Sequence, residues 1–288
     1  MRRVLLLTPP IVVIVLLLLV PLWYLVDISF RENVPGRVTF LPGYSLANYI
    51  AALSDGFYLS VLGSTILLSL AVTLVCALLG FPLAYFLWRA PPSMKGILTL
   101  LVIAPLLISI VVRAYGWMVI LGDQGLLNQA LISMGLTGQP LRIMFTTTAM
   151  FIGLVHVQFP FMVLSILTGL ERIDPLLVSA AETLGASRLR AVLEIVVVLA
   201  IPGIITGMML VFTLCMTAFV TPILLGGSSS RMMTTLVYSQ FNTAFNWPLG
   251  SALAIVLSVA SLVLVSAFLM GARRIPLVRR AESAGSKG

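Results

Sequence analysis

The sequence predicts an all-α membrane protein with six transmembrane helices, and three observations carry that expectation. First, 60% of the 288 residues are apolar and only 9% are charged, against about 25% charged in an ordinary soluble domain. A sphere of this size cannot hide that much hydrocarbon from water, which excludes the soluble globular, disordered and fibrous classes. Second, six runs are long enough to cross a bilayer core, which needs about 20 apolar residues in helix. Third, Lys and Arg are unevenly shared between the connections, the pattern that sets membrane orientation. The net charge of +8 does not indicate nucleic acid, because the positive residues are dispersed between apolar runs and form no basic face.

The runs follow in order. The first, 4–26, lies behind Arg2 and Arg3. It is longer than a signal-peptide core and has no small-residue cleavage site, so it reads as a retained helix. Pro9 and Pro10 fall in its first turns, where a missing N–H costs little. The second, 59–87, ends at Arg89, and Pro91-Pro92 stops it sharply. The third, 97–121, is interrupted by Arg113. The fourth is 145–170, the fifth 196–219 and the sixth 249–270, before Arg273 and Arg274. Cys76 and Cys215 sit inside runs without a Cys-x-x-Cys pattern and read as small packing residues.

With both termini cytoplasmic, the inner segments hold twelve Lys and Arg and the outer ones four: Arg31, Arg37, Arg142 and Arg231. This is a firm positive-inside bias. The outer connections, about 27–58, 122–144 and 220–248, are long and carry turn signals such as Val34-Pro35-Gly36 and Gly226-Gly227-Ser228-Ser229-Ser230. The last of them is too polar to span, and reads either as a loop that meets an outer partner or as a solvated connection.

The inner connection 171–195 is patterned. Asp174-Pro175 is an N-cap followed by proline at the first helical position. Leu176, Leu177, Ala180, Ala181 and Leu184 recur at helical spacing. Gly185 stands where a helix ends in a left-handed residue, and Ser187 caps a second helix that runs through Arg188, Arg190 and Glu194 into the fifth span. Two readings are open: an amphipathic segment that seals the bundle, or a docking knob for a cytoplasmic partner. In the second, Ser179, Ala180 and Ala181 permit close backbone approach, Leu184 is an apolar anchor, and Glu182 with Arg188 forms a charged rim.

This segment resembles the EAA loop of binding-protein-dependent ABC importer permeases. The family pattern is Glu-Ala-Ala, three residues, Gly, nine residues, an aliphatic residue and Leu-Pro. Here Ser179-Ala180-Ala181 is followed after three residues by Gly185 and after nine more by Ile195. Ser179 replaces the family Glu and Val197-Val198 the Leu-Pro, although Pro202-Gly203 follows. Further strings resemble the polyamine (spermidine and putrescine) branch: Leu170-Glu171-Arg172-Ile173-Asp174-Pro175-Leu176-Leu177, Phe219-Val220-Thr221-Pro222-Ile223-Leu224-Leu225-Gly226-Gly227, Asn246-Trp247-Pro248-Leu249-Gly250 and Val112-Arg113-Ala114-Tyr115-Gly116-Trp117.

The resemblance implies one permease domain over 1–288 with a type I ABC importer permease (MetI-like) fold in the bacterial inner membrane. It implies a second permease subunit, two ATPase subunits that each receive a coupling helix, and a periplasmic solute-binding protein. Ser179, Ala180, Ala181, Glu182, Leu184, Gly185 and Arg188 would meet the ATPase. The chain itself binds no cofactor under this reading, and ATP and Mg belong to the ATPases. In agreement, no Gly-x4-Gly-Lys-Ser/Thr phosphate loop occurs. The solute would be a polyamine, or alternatively an opine, an aminophosphonate or ferric iron.

Several residues carry two readings each. Arg113 is the one charge deep in a run: a structural cation, or part of a pathway or gate. His156 reads as a hydrogen-bonded packing residue rather than a ligand, since no metal-ligand spacing accompanies it. Tyr115 and Trp117 belong either to an interfacial aromatic belt or, by cation–π contact, to the path of a cationic solute. Gly203-x3-Gly207 and Gly250, Ala254, Ser258 read as small-residue packing stripes. An ion-coupled secondary transporter would need buried acids and an internal repeat, and an intramembrane enzyme a nucleophile–base pair or metal ligands. Neither pattern is visible.

Overall fold

In a computed structural model, residues 2–34, 39–227 and 231–273 are described. The turn signal at Pro35-Gly36, the Ser228-Ser229-Ser230 run and the basic residues from Arg274 onward lie outside them. The chain is helical: α1 (Arg2–Ser29), α2 (Ala47–Ser54), α3 (Gly56–Arg89), α4 (Pro92–Ile103) with a 3₁₀ turn (Ala104–Leu107), α5 (Ile110–Leu121), α6 (Leu126–Ser133), α7 (Thr147–Leu170), α8 (Leu176–Thr183), α9 (Arg188–Ala191) with a π turn (Val192–Val196), α10 (Val197–Met216), α11 (Val220–Leu225), α12 (Met233–Asn242) and α13 (Trp247–Arg273). Six segments are long and apolar enough to cross a membrane: Val12–Ser29, Gly56–Arg89, Ile110–Ser133, Thr147–Leu170, Arg188–Met216 and Trp247–Gly271.

One span differs from the sequence expectation. The run 97–121 is not one helix. Pro105 lacks an N–H and sits in the 3₁₀ turn, after which Ile108 and Ser109 are extended and α5 starts afresh. The apolar stretch therefore becomes a shorter piece, Pro92–Leu107, and a crossing segment built from α5 and α6. The connections read as outer in the sequence also contain helices too short for periodicity to reveal, namely α2, α6, α11 and α12. In particular, 221–247 is not an ordinary solvated connection, because Thr221, Leu225, Met232, Met233 and Leu236 are buried.

The chain divides into two compact units, Met1–Gly63 with Met232–Ala260, and Ser64–Arg231 with Ser261–Gly288. In the first, α2 is tied to the end of α1. Ser29 Oγ shares a 2.7 Å hydrogen bond with Tyr49 Oη, and Asn48 Nδ2 donates to the carbonyls of Ser29 and Arg31 at 3.0 and 2.8 Å. Arg31 Nε reaches Asp27 Oδ2 at 2.8 Å, and Tyr44 Oη donates to Asp27 Oδ1. The Asp27 carboxylate holds the Tyr44 phenol above its ordinary pKa. Further along the chain Gly250 lets α13 approach Phe241, whose ring meets Trp247 edge-on at 5.8 Å.

The second unit is organised on α7. Leu154, Met162, Ile166 and Leu170 are fully buried, and α10 packs along them. Lipid is as apolar as leucine, so burial from water does not drive this pairing; close van der Waals contact does. Gly203 supplies it. A Cβ there would stand 2.9 Å from Gly169 Cα and 3.1 Å from the Ser165 carbonyl oxygen. A Cβ on Gly207 would stand 2.8 Å from Met162 Sδ. Cys76 and Cys215 are buried and unpaired by disulfide. At the start of α7, Phe145 has φ 60° and Thr146 caps the helix through Ala149 N–H at 3.4 Å. Gly227, itself at φ +66°, lies so close to Phe145 that a Cβ would fall 2.7 Å from the Phe145 Cβ.

Candidate functional site: an exposed helix–glycine turn and an intramembrane arginine

Local rules explain the turn. Asp174 Oδ1 accepts the Leu176 N–H at 2.9 Å, and its carbonyl accepts the Leu177 N–H at 3.1 Å. Both satisfy donors that a first helical turn leaves open. At the far end the Gly185 N–H reaches the Glu182 carbonyl, and the Ala186 N–H reaches the Ala181 carbonyl, each at 3.0 Å. These two bonds with Gly185 at φ +91° make a Schellman cap, which glycine adopts without steric cost. Ser187 Oγ then accepts the Arg190 N–H at 3.4 Å and starts α9. Arg190 pairs with Glu194 at 3.0 Å, four residues on. The Val197 N–H bonds to the Val192 carbonyl, five residues back, so a π turn links α9 to α10.

Burial separates the two sides of α8. Val178 and Ile173 are buried, as are Ala191 and Val196, and α8 packs on α9 and the π turn. The rest faces outward. Ser179, Ala180, Glu182, Gly185 and Arg188 are exposed and Ala181 is half-buried. Leu184 is 89% exposed, Leu176 70% and Leu189 69%. Leucines in this state beside small residues form an apolar, low-relief surface, the kind a protein partner covers. The seven residues expected to meet a partner thus lie on α8, on the bend that follows it and, for Arg188, at the first position of α9.

Sequence reasoning missed what holds this turn's lead-in. Lys95 Nζ, at the start of α4, lies 2.7 Å from Glu171 Oε1, just past α7. Both are partly exposed, so the pair adds at most about 1 kcal/mol. Its information is geometric: the connection after α3 and the patterned loop lie at the same end of this unit. Leu189 and Leu193 also join the exposed apolar rim. The i, i+4 spacing of Arg190 and Glu194, like that of Asp27 and Arg31, was a signal of an ion pair available in the sequence.

The three α5 residues separate. Arg113 and Trp117, four apart, are half-buried, whereas Tyr115 is exposed on the other side of the helix. Trp117 Nε1 donates to His156 Nδ1 at 3.2 Å, with the rings edge-on at 5.6 Å. Arg113 lies within electrostatic reach of His156. Its Nε and Nη1 are covered from solvent yet have no hydrogen-bond partner among the described residues. An isolated charge at a bilayer centre costs about 2.5–3.5 kcal/mol on the insertion scale. Among the described residues no group of three or more His, Cys, Asp and Glu is placed to hold a metal.

These features define a class: a multi-pass helical membrane protein that presents a capped helix–glycine turn at one end. The fold is that of ABC importer permeases. It superposes on a chain of a bacterial alginate ABC transporter, solved in complex with an alginate pentasaccharide-bound periplasmic protein, with TM-score 0.79 at 18% identity, covering 95% of this chain and 94% of that one. Residues 77–273 match the family described as binding-protein-dependent transport system inner membrane component. The chain belongs to that family and is a transport permease. It is 37% identical over 216 residues to the spermidine/putrescine transport system permease protein PotB of Escherichia coli K12, covering 75% of this chain and 78% of PotB. It is also 34% identical over 120 residues to PotC of the same organism, a second permease protein of a spermidine/putrescine system, covering 41% of this chain and 45% of PotC.

Proposed function

We propose that this chain is one of two different permease subunits of a polyamine importer, and that it does no covalent chemistry. The similarity to PotB over three quarters of both chains carries the reading. The α8 turn, tied to the Asp174 carboxylate at its start, closed by the Gly185 bend at its end and faced with exposed leucines, is the coupling helix that seats in an ATPase subunit. ATP and Mg are bound by two such ATPases, and a periplasmic binding protein delivers spermidine or putrescine. Both termini face the cytoplasm. ATP-driven closure of the ATPases shifts the permeases between two packings, which gives alternating access.

Proteoliposomes holding both permeases, the ATPases and the binding protein are expected to take up radiolabelled spermidine only with ATP. Uptake that persists without the ATPases, or that ignores spermidine in favour of another solute, refutes the reading. Cysteine at position 181 (Ala181→Cys) is expected to crosslink to the ATPase; labelling of it only by periplasmic reagents would invert the topology. Leu184→Ser removes an 89% exposed anchor and is expected to lower uptake severalfold, with chain levels in the membrane unchanged, because nothing in this chain packs on that side chain.

A further inference from the structure

We propose, on the reading above that α8 is the coupling helix, that Lys95 and Glu171 are positioning residues of transport. Their ion pair passes the movement of the α8 turn to α4, which swings as an arm about the break at Ile108–Ser109 into an open cleft. The arm is loosely held. No residue of α4 is buried, whereas α5, beyond the break, buries Ala114 and Leu121. Extended backbone bounds α4 and its 3₁₀ turn at both ends: Pro91 at ψ 148°, and Ile108 and Ser109 each at ψ 136°. Pro105 has no N–H to give, and the α5 ladder restarts with the Arg113 N–H on the Ser109 carbonyl at 3.0 Å. A few residues of this kind at the ends of elements are enough to absorb a hinge rotation.

The room for that swing is present. A cleft of about 350 Å³ lies beside α4. Leu98, Leu101 and Val102, three and four residues apart on one face of α4, line one side of it. Leu87 of α3 and Phe159 and Pro160 of α7 line the others. Apolar faces held apart forgo the contacts that packing would give them, so α4 has a second, closed seat against α3 and α7. The handle is the ion pair. Lys95 stands in the first turn of α4, with Nζ 2.7 Å from Glu171 Oε1. Glu171 is the residue that ends α7, and three residues on Asp174 ties the start of α8. A displacement of α8 therefore reaches α4 through one side-chain contact. A partly exposed pair contributes little to stability, and its place between the α8 turn and the arm gives it this other use.

The test uses the complete transporter, two permeases with two ATPases and the binding protein, in proteoliposomes. Lys95→Glu and Glu171→Lys are each expected to lower the spermidine taken up per ATP hydrolysed about fivefold or more, and the two reversals together are expected to restore it. The thermal midpoint of each single variant is expected to stay within about 4 °C of wild type, which separates transmission from a merely structural role. Val102→Trp fills the cleft and is expected to hold or raise the midpoint while uptake per ATP falls. Leu101→Cys with Phe159→Cys, made in a Cys76→Ala, Cys215→Ala background, is expected to be bridged by a bifunctional maleimide with yields that differ between the nucleotide-free and the ATP–vanadate-trapped transporter. The proposal is overturned if the single reversals keep the wild-type ratio, if the double reversal fails to restore it, if Val102→Trp transports normally, or if the bridging yield ignores nucleotide. It is equally overturned if Val102→Trp stops the second permease from co-purifying, which would make the cleft an interface between the permeases rather than room for the arm. A wild-type ratio in the reversals removes this role of the pair alone, whereas wild-type uptake that needs no ATPase removes the coupling-helix reading itself.

Discussion

Gly185→Val is expected to leave the chain inserted in the membrane and assembled, while ATP hydrolysis proceeds with uptake reduced by tenfold or more. Gly185 closes α8 at φ +91°, where a β-branched side chain clashes with its own backbone. A residue forced to stay in such a region costs about 1–3 kcal/mol, and about 1.4 kcal/mol is a factor of ten in an equilibrium. The chain escapes that cost by unwinding the last turn of α8. The bonds from Gly185 N–H to Glu182 and from Ala186 N–H to Ala181 are then lost, and Leu184 leaves its place. No atom lies within 4 Å of a Cβ built at position 185, so overpacking is not the cause. Gly185→Asn, which tolerates the left-handed region better, is expected to retain more coupling than valine. ATPase rate and spermidine uptake measured on the same proteoliposomes check both. Normal coupling in the valine variant would remove the mechanical role of the turn.

Gly203→Val should act on stability rather than on coupling. The atoms a new Cβ would meet are backbone: Gly169 Cα at 2.9 Å and the Ser165 carbonyl oxygen at 3.1 Å. Backbone in a packed helix cannot rotate aside as a side chain can, so α7 and α10 must separate along the contact that buries Leu154, Met162 and Ile166. Overpacking of this kind costs about 1–3 kcal/mol, which corresponds to several degrees in Tm at about 2–4 °C per kcal/mol. Gly203→Ala already places the offending atom and is expected to show much of the loss. Thermal aggregation of the detergent-solubilised complex measures it. Gly63→Ala is the control, since nothing lies within 4 Å of a Cβ there. An unchanged midpoint in Gly203→Val would show that the helices are not held at this crossing.

The contrast between these two glycines shows what could be read along the chain. Gly185 was legible because a helix end is a local event: Gly185 and Ser187 take the expected places, and the Asp174 carboxylate accepts the Leu176 N–H as expected, although α8 starts one residue later, at Leu176, with Pro175 in the N-cap position. Gly203 was legible only as one member of a stripe of small residues. That it meets Gly169 needed the three-dimensional arrangement, as did the pairing of Lys95 with Glu171 and of Trp117 with His156. The break at Ile108–Ser109 was missed because an apolar run looks continuous to a count of hydropathy even where Pro105 interrupts its hydrogen bonds. The helices α2, α6, α11 and α12 were missed because 6–10 residues complete too few turns for a period to emerge.

The amino-acid sequence alone determined that the chain lives in a bilayer, how many times it can cross, which connection is patterned, and how that connection begins and ends. A membrane imposes length and apolarity on each segment separately, and capping is settled between near neighbours, so both are written in one dimension. Which helix faces which was decided only by the tertiary structure. Inside lipid no gradient of hydrophobicity distinguishes one apolar face from another, and the choice falls to shape and to the close approach that a glycine allows.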